Sequence, residues 1–276
     1  MISVLNKYNN VTQRIITGII GILVIVFGVY NGEWTYFGLF FGICGLTQLE
    51  FYKLTGLDGM LPLKSVGTAT GLLIYTLSFL VERGTLDASY YLLIFPSMAS
   101  IFFIKLYKKS DKKPFTNIAF TLCGIIYVAV PFALLNLIAF SGSRYSFQIV
   151  LGILSLFWAS DTGAYFAGVR FGKRQLFARI SPKKSWEGSI GGAITALVTA
   201  SLLSFFYTDL PPWEWIVVGA IIVVTGTYGD LVESLFKRSI AIKDSGRGLP
   251  GHGGFLDRFD GLLLASHFII IFLKFF

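Results

Sequence analysis

The feature that most limits how this chain can fold is a series of apolar blocks, each about 20 residues long. A helix of about 20 residues crosses the roughly 30 Å hydrocarbon layer of a bilayer. The nine blocks lie at 14–30, 33–52, 64–81, 89–106, 115–140, 147–169, 188–207, 213–236 and 260–275. We therefore predict an all-α polytopic membrane protein with about nine transmembrane helices.

Composition supports a lipid environment for most of the chain. Of the 276 residues, 54% are hydrophobic and 14% are charged. In a typical soluble domain about a quarter of the residues are charged. Within the second block, Gly38, Gly42 and Gly45 suggest close helix contact. Cys44 and Cys123 lie inside apolar blocks without metal-ligand spacing, which favours a packing role.

Lys and Arg near helix ends predict the orientation, because these residues resist translocation. With the N-terminus in the cytoplasm, 20 of the 23 Lys and Arg residues lie on the inner side. Only Arg83, Arg144 and Lys274 then lie outside. We predict a cytoplasmic N-terminus, an external C-terminus and a multi-pass protein of the cytoplasmic (inner) membrane whose active site faces the cytoplasm.

The net charge of +8 has two interpretations, attraction to anionic membrane lipids or binding of a polyanionic substrate. For the lysines of the 105–113 run the first is favoured, since no Gly, His or carboxylate cluster accompanies Lys108, Lys109, Lys112 and Lys113. Nucleic acid is not expected as a partner, because no soluble domain is present to receive it.

Polar residues divide the chain into two predicted regions. Residues 1–140 form N-terminal scaffold helices, and residues 141–276 form a catalytic region with cytoplasmic loops at 170–187 and 237–257. Glu50 is the polar exception in the scaffold. It either pairs with Lys53 or reaches the membrane interface, or it has a functional role.

Asp161 lies inside an apolar helix, where an uncompensated charge costs at least ~2.5 kcal/mol. It is either a hydrogen-bond hub between helices or a ligand for metal or substrate near the inner face. Further on, Lys183, Lys184 and Ser185 directly precede a helix, so they can bind an anion together with free N–H groups at its N-terminus.

Four acidic residues near the ends of the last two helices predict a metal site. Asp230 and Glu233 share a helix face, and Asp257 and Asp260 repeat that spacing. Oxygen ligands from two helix ends suit Mg²⁺. The alternative for Asp257 and Asp260 is helix capping, and Glu233 is more simply explained as a partner of Lys237 or Arg238.

Gly253 and Gly254 allow successive backbone N–H groups to form an anion-binding concavity. His252 is then a phosphate donor, a leaving-group acid or a loop-shaping side chain. The chain has no Walker A loop, no Gly-x-Ser-x-Gly elbow and no His-rich metal cage. Metal, cations and backbone donors at a membrane surface favour phosphoryl or nucleotidyl transfer.

The 229–260 run resembles the signature of the prokaryotic CTP:phosphatidate cytidylyltransferases, also called CDP-diacylglycerol synthases. The residues that match are Ser234, Lys237, Arg238, Lys243, Asp244, Pro250, His252, Gly253, Gly254, Asp257, Arg258 and Asp260. The 181–188 segment is also similar, with Ser185 where the family more usually has Thr. The likeness covers about residues 155–262.

This resemblance implies transfer of CMP from CTP to phosphatidate, with release of pyrophosphate and formation of CDP-diacylglycerol. It also implies Mg²⁺, with Asp230, Asp257 and Asp260 around one or two cations, and a homodimer. Lys237 and Arg238 join these aspartates as catalytic residues. The substrate-binding residues implied are Asp161, Lys183, Lys184, Ser185, Lys243, Asp244, His252, Gly253, Gly254 and Arg258.

Two other functions compete with this one. A transporter also carries intramembrane acids, but the chain lacks the repeated halves and midplane site of common transporter folds. The closer alternative is another CTP-using lipid enzyme, such as a polyprenol kinase or a synthase acting on archaeal lipid phosphates. For the favoured function we predict a cavity open both to the inner leaflet and to the cytosol.

Overall fold

The computed structural model describes residues 10–109, 111–142, 144–242 and 253–276. Helices dominate this part of the chain. They are α1 (Asn10–Tyr30), α2 (Glu33–Leu57), α3 (Lys64–Glu82), α4 (Ile94–Tyr107), α5 (Pro114–Gly124), α6 (Val130–Ala139), α7 (Phe147–Phe171), α8 (Trp186–Phe206), α9 (Pro212–Ser239) and α10 (Leu256–Phe275).

Short irregular turns extend two of these helices. A 3₁₀ segment, Ala88–Leu93, leads into α4, and a π segment, Ile125–Ala129, joins α5 to α6. Pro131 lies just after the π segment and has no N–H to donate to the preceding turn, which accounts for the departure from α geometry. The stretch Pro114–Ala139 is therefore one continuous helical span.

Each of the nine predicted blocks falls on a helical segment of the described chain. Six of these segments are long and apolar enough to cross a membrane, which confirms a multi-pass α-helical membrane protein. They are Lys64–Glu82, Ala88–Tyr107, Pro114–Ala139, Phe147–Phe171, Trp186–Phe206 and Pro212–Ser239. Helices α1, α2 and α10 are not among these six segments, so the count of nine spans stays a prediction.

A small β-hairpin interrupts the predicted cytoplasmic loop 170–187. Strand β1 (Gln175–Phe177) pairs antiparallel with β2 (Ser181–Ser185), with Gln175 opposite Ser185. Strand β2 runs directly into α8. The sequence predicted only a loop here, because three- to five-residue strands leave little periodic signal.

The helices form two compact units. The first contains Met1–Ala133 and Ile240–Phe259, and the second contains Leu134–Ser239 and Asp260–Phe276. Helices α6 and α10 each begin in the first unit and end in the second. The boundary predicted at residue 140 separates a scaffold region from a catalytic region. This division of function stays a prediction.

A buried ion pair organises the loops of the first unit. Lys105 Nζ lies 2.5 Å from Asp111 Oδ2, and each side chain is only 1% exposed. Lys105 also donates to Leu61 O, and Asn117 Nδ2 donates to Asp111 Oδ1 at 2.7 Å. Lys105 is therefore a buried structural residue, which corrects its interpretation as a lipid-attracting cation of the 105–113 run.

Two further expectations about the first unit need correction. A Cβ built at Gly38 or Gly42 would meet nothing within 4 Å among the described residues, so these glycines do not mark a close helix contact there. Cys44 is buried, as a packing residue should be, but Cys123 is exposed on α5.

Candidate active site

Three carboxylates of the second unit converge near the ends of α9 and α10. Asp230, Glu233 and Asp260 each offer an oxygen, and these oxygens all lie within 4.8 Å of one another. Glu233 is 1% exposed, whereas the Asp230 side chain is 39% exposed. The group thus reaches from the protein interior to an accessible surface.

Glycines allow α9 and α10 to approach closely enough for this convergence. A Cβ at Gly229 would lie 2.5 Å from the backbone oxygen of Asp260 and 2.9 Å from Cα of Gly261. A Cβ at Gly261 would in turn lie 3.4 Å from Cα of Gly226. Because no side chain separates the two backbones, Asp230 and Asp260 meet directly beside this contact.

Two lysines and a hydroxyl hold the carboxylates in place. Lys184 Nζ forms an ion pair with Asp230 Oδ2, and Ser234 Oγ donates to Asp230 Oδ1 at 3.3 Å. Lys237 Nζ lies 2.6 Å from Glu233 Oε2. Of the two predicted partners of Glu233, the Lys237 pairing is therefore confirmed.

Asp161 belongs to the same electrostatic environment. It lies on the exposed surface of α7, and its charge acts on Asp260, as do those of Asp230 and Lys184. The three carboxylates of Asp230, Glu233 and Asp260 outnumber the two lysines that pair with Asp230 and Glu233. Such a site favours binding of a cation.

The donor set fits a hard divalent cation. Mg²⁺ binds oxygen ligands at 2.0–2.1 Å in octahedral geometry, so opposite ligands lie about 4.2 Å apart. The oxygens of Asp230, Glu233 and Asp260 span a comparable distance, and no softer nitrogen or sulfur ligand belongs to this group. Small movements of these side chains would bring them into one coordination shell.

The β-hairpin places Lys184 next to the carboxylates of Asp230, Glu233 and Asp260. Glu187 Oε2 accepts the N–H groups of Lys173 at 3.0 Å and Arg174 at 3.2 Å, and Trp186 N–H donates to Arg174 O at 2.9 Å. These bonds fasten the base of the hairpin to the first turn of α8. Lys184, just before that turn, is thereby held next to the carboxylates.

Other predicted members of the 183–185 anion site are placed differently from Lys184. Lys183 is exposed, and no ion pair of the described residues includes it. Ser185 caps α8, since its Oγ accepts the N–H of Gly188 at 3.1 Å. One of the N–H groups expected to bind an anion is therefore already occupied by Ser185.

The residues that lead into α10 belong to the first unit. Asp257 Oδ2 accepts the N–H of Gly254 at 3.1 Å, a group that precedes α10 and is not one of the helix's own N–H groups, and the metal role of Asp257 stays a prediction. Arg258 is exposed on the first turn of α10, and Arg238 is exposed at the end of α9. Lys243, Asp244 and His252 lie outside the described residues.

An apolar groove of about 1140 Å³ runs between α7 and α8. Its lining includes Trp158, Phe166 and Ile194, with charged residues Arg170 and Glu187 also present. Thr162, another lining residue, follows Asp161 directly. The groove therefore borders the turn of α7 that carries Asp161.

Comparison with known proteins identifies the family. The model of the cytidylyltransferase family matches residues 12–276. This chain belongs to that family. It is 30% identical to the phosphatidate cytidylyltransferase of Bacillus subtilis over 272 residues, which cover 96% of this chain and 98% of that protein.

Other members of the family align over shorter stretches. The phosphatidate cytidylyltransferase of Haemophilus influenzae is 40% identical over 59% of this chain, and that of Staphylococcus haemolyticus is 42% identical over 54%. In these two alignments the chain spans 58% and 56% of the relatives' lengths. The resemblance found in the sequence is thus confirmed at the level of the family.

Two functional candidates were underestimated from the sequence. Glu233 was interpreted mainly as a partner of Lys237 or Arg238, but its carboxylate also lies with those of Asp230 and Asp260. For Glu50 the sequence left open a pairing with Lys53, a place at the membrane interface or a functional role, and in the structure its Oε2 accepts the N–H of Phe255 at 2.8 Å. The only sequence signal for either was an acidic side chain in an apolar helix.

Proposed function

We propose that the protein transfers CMP from CTP to phosphatidate, forming CDP-diacylglycerol and releasing pyrophosphate. The observation that carries this proposal is the group of Asp230, Glu233 and Asp260, flanked by Lys184 and Lys237. This group occurs in a membrane protein of the cytidylyltransferase family. The similar proteins are named phosphatidate cytidylyltransferases.

The reaction is a displacement at phosphorus. An oxygen of the phosphatidate monoester forms a bond to the α-phosphorus of CTP, and the bond from that phosphorus to the bridging oxygen breaks, so pyrophosphate leaves. A phosphomonoester carries about −1.5 to −2 charges at pH 7, so the nucleophile needs no general base. The main barrier is the repulsion between two polyanions.

The protein's cations reduce that repulsion. Lys184 and Lys237 already lie at the carboxylate group, and Lys183 and Arg238 are exposed nearby in sequence. Bound Mg²⁺, held by Asp230 and Asp260 with Glu233 or Asp257, would neutralise phosphate charge and stabilise the leaving group. Lys243 and Arg258 are further candidates for phosphate contacts.

The groove between α7 and α8 supports access for a lipid substrate from the inner leaflet. Its lining is mostly apolar and includes Arg170, whose guanidinium suits a lipid phosphate. CTP would reach the site from the cytosol. The cytoplasmic orientation, the inner membrane, the homodimer and a second cation are parts of this proposal.

The deciding experiment is conversion of phosphatidate and radiolabelled CTP to liponucleotide by purified full-length protein in detergent, as a function of Mg²⁺. Asp257→Asn and Asp260→Asn should each lower the rate at least about 100-fold, because each removes a charge that contacts metal or phosphate. Asp87→Asn is the matched control, since asparagine can still cap the Ala88–Leu93 turn.

Product from the wild type and the control but not from the two variants would support the proposal. Product from all four proteins would remove these aspartates from the mechanism. Absence of product from well-folded wild type would point to another lipid phosphate acceptor, tested next with polyprenyl phosphate, and then to transport.

A further inference from the structure

Glu50 forms a hydrogen bond with a residue that is far from it in the sequence. It lies on α2, and its Oε2 accepts the backbone N–H of Phe255 at 2.8 Å, although the two residues are 205 positions apart. Both belong to the first unit. Among the described residues no ion pair joins Glu50 to Lys53, and the Phe255 N–H is the group that donates to this carboxylate.

Phe255 immediately precedes α10, and the backbone before it is held twice. Asp257 Oδ2 accepts the N–H of Gly254 at 3.1 Å, while Glu50 holds the next N–H along the chain. Gly253 has φ of +84°, and a Cβ there would lie 2.6 Å from Asp257 Oδ2. The Asp257 carboxylate and this backbone therefore fit closely, so that movement of one displaces the other.

The two carboxylate oxygens of Glu50 have different surroundings. Its second oxygen, Oε1, is buried and accepts no hydrogen bond from the described residues. A buried acceptor without a donor carries a desolvation cost. Among the described residues, the bond to the Phe255 N–H is thus the hydrogen bond that offsets the burial of the Glu50 carboxylate.

We propose that Glu50 is a positioning residue for nucleotidyl transfer. It fixes the backbone at Phe255 and, through it, the direction of the Asp257 carboxylate at the start of α10. This inference rests on the proposed function, in which Asp257 contacts metal or phosphate. Glu50 itself touches neither.

The proposal predicts an unusual order of variants. Glu50→Gln keeps a carbonyl oxygen at the same reach, so it should retain activity within about threefold of wild type. Glu50→Asp keeps the charge but is one methylene shorter, and Glu50→Ala removes the acceptor. Both should raise the Mg²⁺ concentration for half-maximal activity about tenfold, as expected for one lost hydrogen bond of a charged group.

The matched control is Glu33→Gln. Glu33 lies at the opposite end of α2, where it pairs with Arg83 at 2.6 Å. This change removes the same charge from the same helix without touching the backbone before α10. Its Mg²⁺ dependence should equal that of the wild type.

Hydrogen exchange measures the anchor without any turnover. In full-length protein in detergent, peptides covering 253–257 should exchange faster in Glu50→Ala and Glu50→Asp than in Glu50→Gln or wild type. Exchange in α7 should be the same in all of them, which shows that the fold is intact. Faster exchange together with a raised Mg²⁺ requirement supports the inference.

Three results would overturn it: unchanged exchange at 253–257 in Glu50→Ala, faster exchange without any change in Mg²⁺ dependence, or a rescue by Asp but not by Gln. The last would mean that charge, not reach, is what matters. Failure of the proposed function is a separate result, because it would appear as inactive wild type with the exchange pattern intact.

Discussion

Glu233 connects two kinds of interaction within a single turn of α9. Its Oε2 forms an ion pair with Lys237 at 2.6 Å, and its carboxylate also lies within 4.8 Å of oxygens of Asp230 and Asp260. A side chain that is 1% exposed must have its charge compensated. Lys237 provides that compensation, and a bound cation would provide it as well.

Two variants separate these roles of Glu233. Glu233→Gln should raise the half-maximal Mg²⁺ concentration about tenfold, because one charged ligand is lost. Lys237→Gln should leave that concentration equal or lower, since Glu233 is released to the cation, while KM for CTP rises. Initial rates over a Mg²⁺ series measure both. A parallel rise in the Mg²⁺ requirement of both variants would show that Glu233 acts only through its ion pair.

At the scale of elements, the site depends on how closely two helices approach. Helices α9 and α10 touch through backbone at Gly229 and Gly261, so the carboxylates on either side of this contact are held by packing of the main chains. Helix α8 contributes through the hairpin before it, which Glu187 fastens by two N–H groups.

Gly229→Ala tests the helix contact. Its new Cβ would lie 2.5 Å from a backbone oxygen of α10, so the helices must separate, at a cost of about 1–3 kcal/mol. We expect lower thermal stability in detergent and at least tenfold lower activity. The matched control is Gly42→Ala, which meets open space and should stabilise α2 by about 0.5–1 kcal/mol. Equal stability of both variants would contradict this account.

The buried pair between α4 and α5 gives a prediction for pH. The hydrogen bond from Lys105 is the main cause that lowers the pKa of Asp111 below its usual value. A lowered folded-state pKa means that this contribution to stability is complete above the unfolded pKa of about 3.9 and is lost as pH falls through the folded pKa. The contribution should therefore be constant from pH 7 to 5.

Asp111→Asn should remove that contribution at neutral pH. It leaves the Lys105 charge buried without its anion, which costs about 3 kcal/mol or more. Thermal unfolding in detergent at pH 7 and pH 5 measures the loss, and the difference from wild type should be the same at both values. A variant as stable as wild type at pH 7 would show that the pair contributes nothing net.

At the scale of the whole molecule, the number of helices that cross the membrane determines which side each loop faces. Six segments satisfy length and hydropathy together, and the nine-span arrangement adds α1, α2 and α10. Nine spans and the distribution of Lys and Arg together require an external C-terminus. An even number of spans would return the C-terminus to the cytoplasm.

Single cysteines in a variant lacking Cys44 and Cys123 test this topology. The test uses cells whose cytoplasmic membrane is intact but whose outer layers let the reagent pass. A thiol reagent that cannot cross the cytoplasmic membrane should label Thr85→Cys, Arg144→Cys and Lys274→Cys in these cells. Lys109→Cys and Arg174→Cys should react only after the cytoplasmic membrane is opened. If Lys274→Cys is protected while Thr85→Cys is labelled, the C-terminus lies in the cytoplasm, and the number of spans is eight or ten instead of nine.

Much of the site was already predicted from local sequence. The spacing of Asp230 and Glu233 placed both on one face of α9, and the apolar blocks placed the helices, because transfer of side chains to lipid and helical periodicity are properties of short segments. The signature residues indicated the family. These features depend on neighbours a few positions away.

Tertiary structure decided which groups from separate segments meet. The pairing of Lys184 with Asp230, the bond of Glu50 to Phe255 and the burial of Lys105 with Asp111 all depend on how separate segments pack. A charge in an apolar helix shows from sequence only that compensation is required. Which partner supplies it depends on how separate segments pack against one another, and that packing is a property of the folded chain.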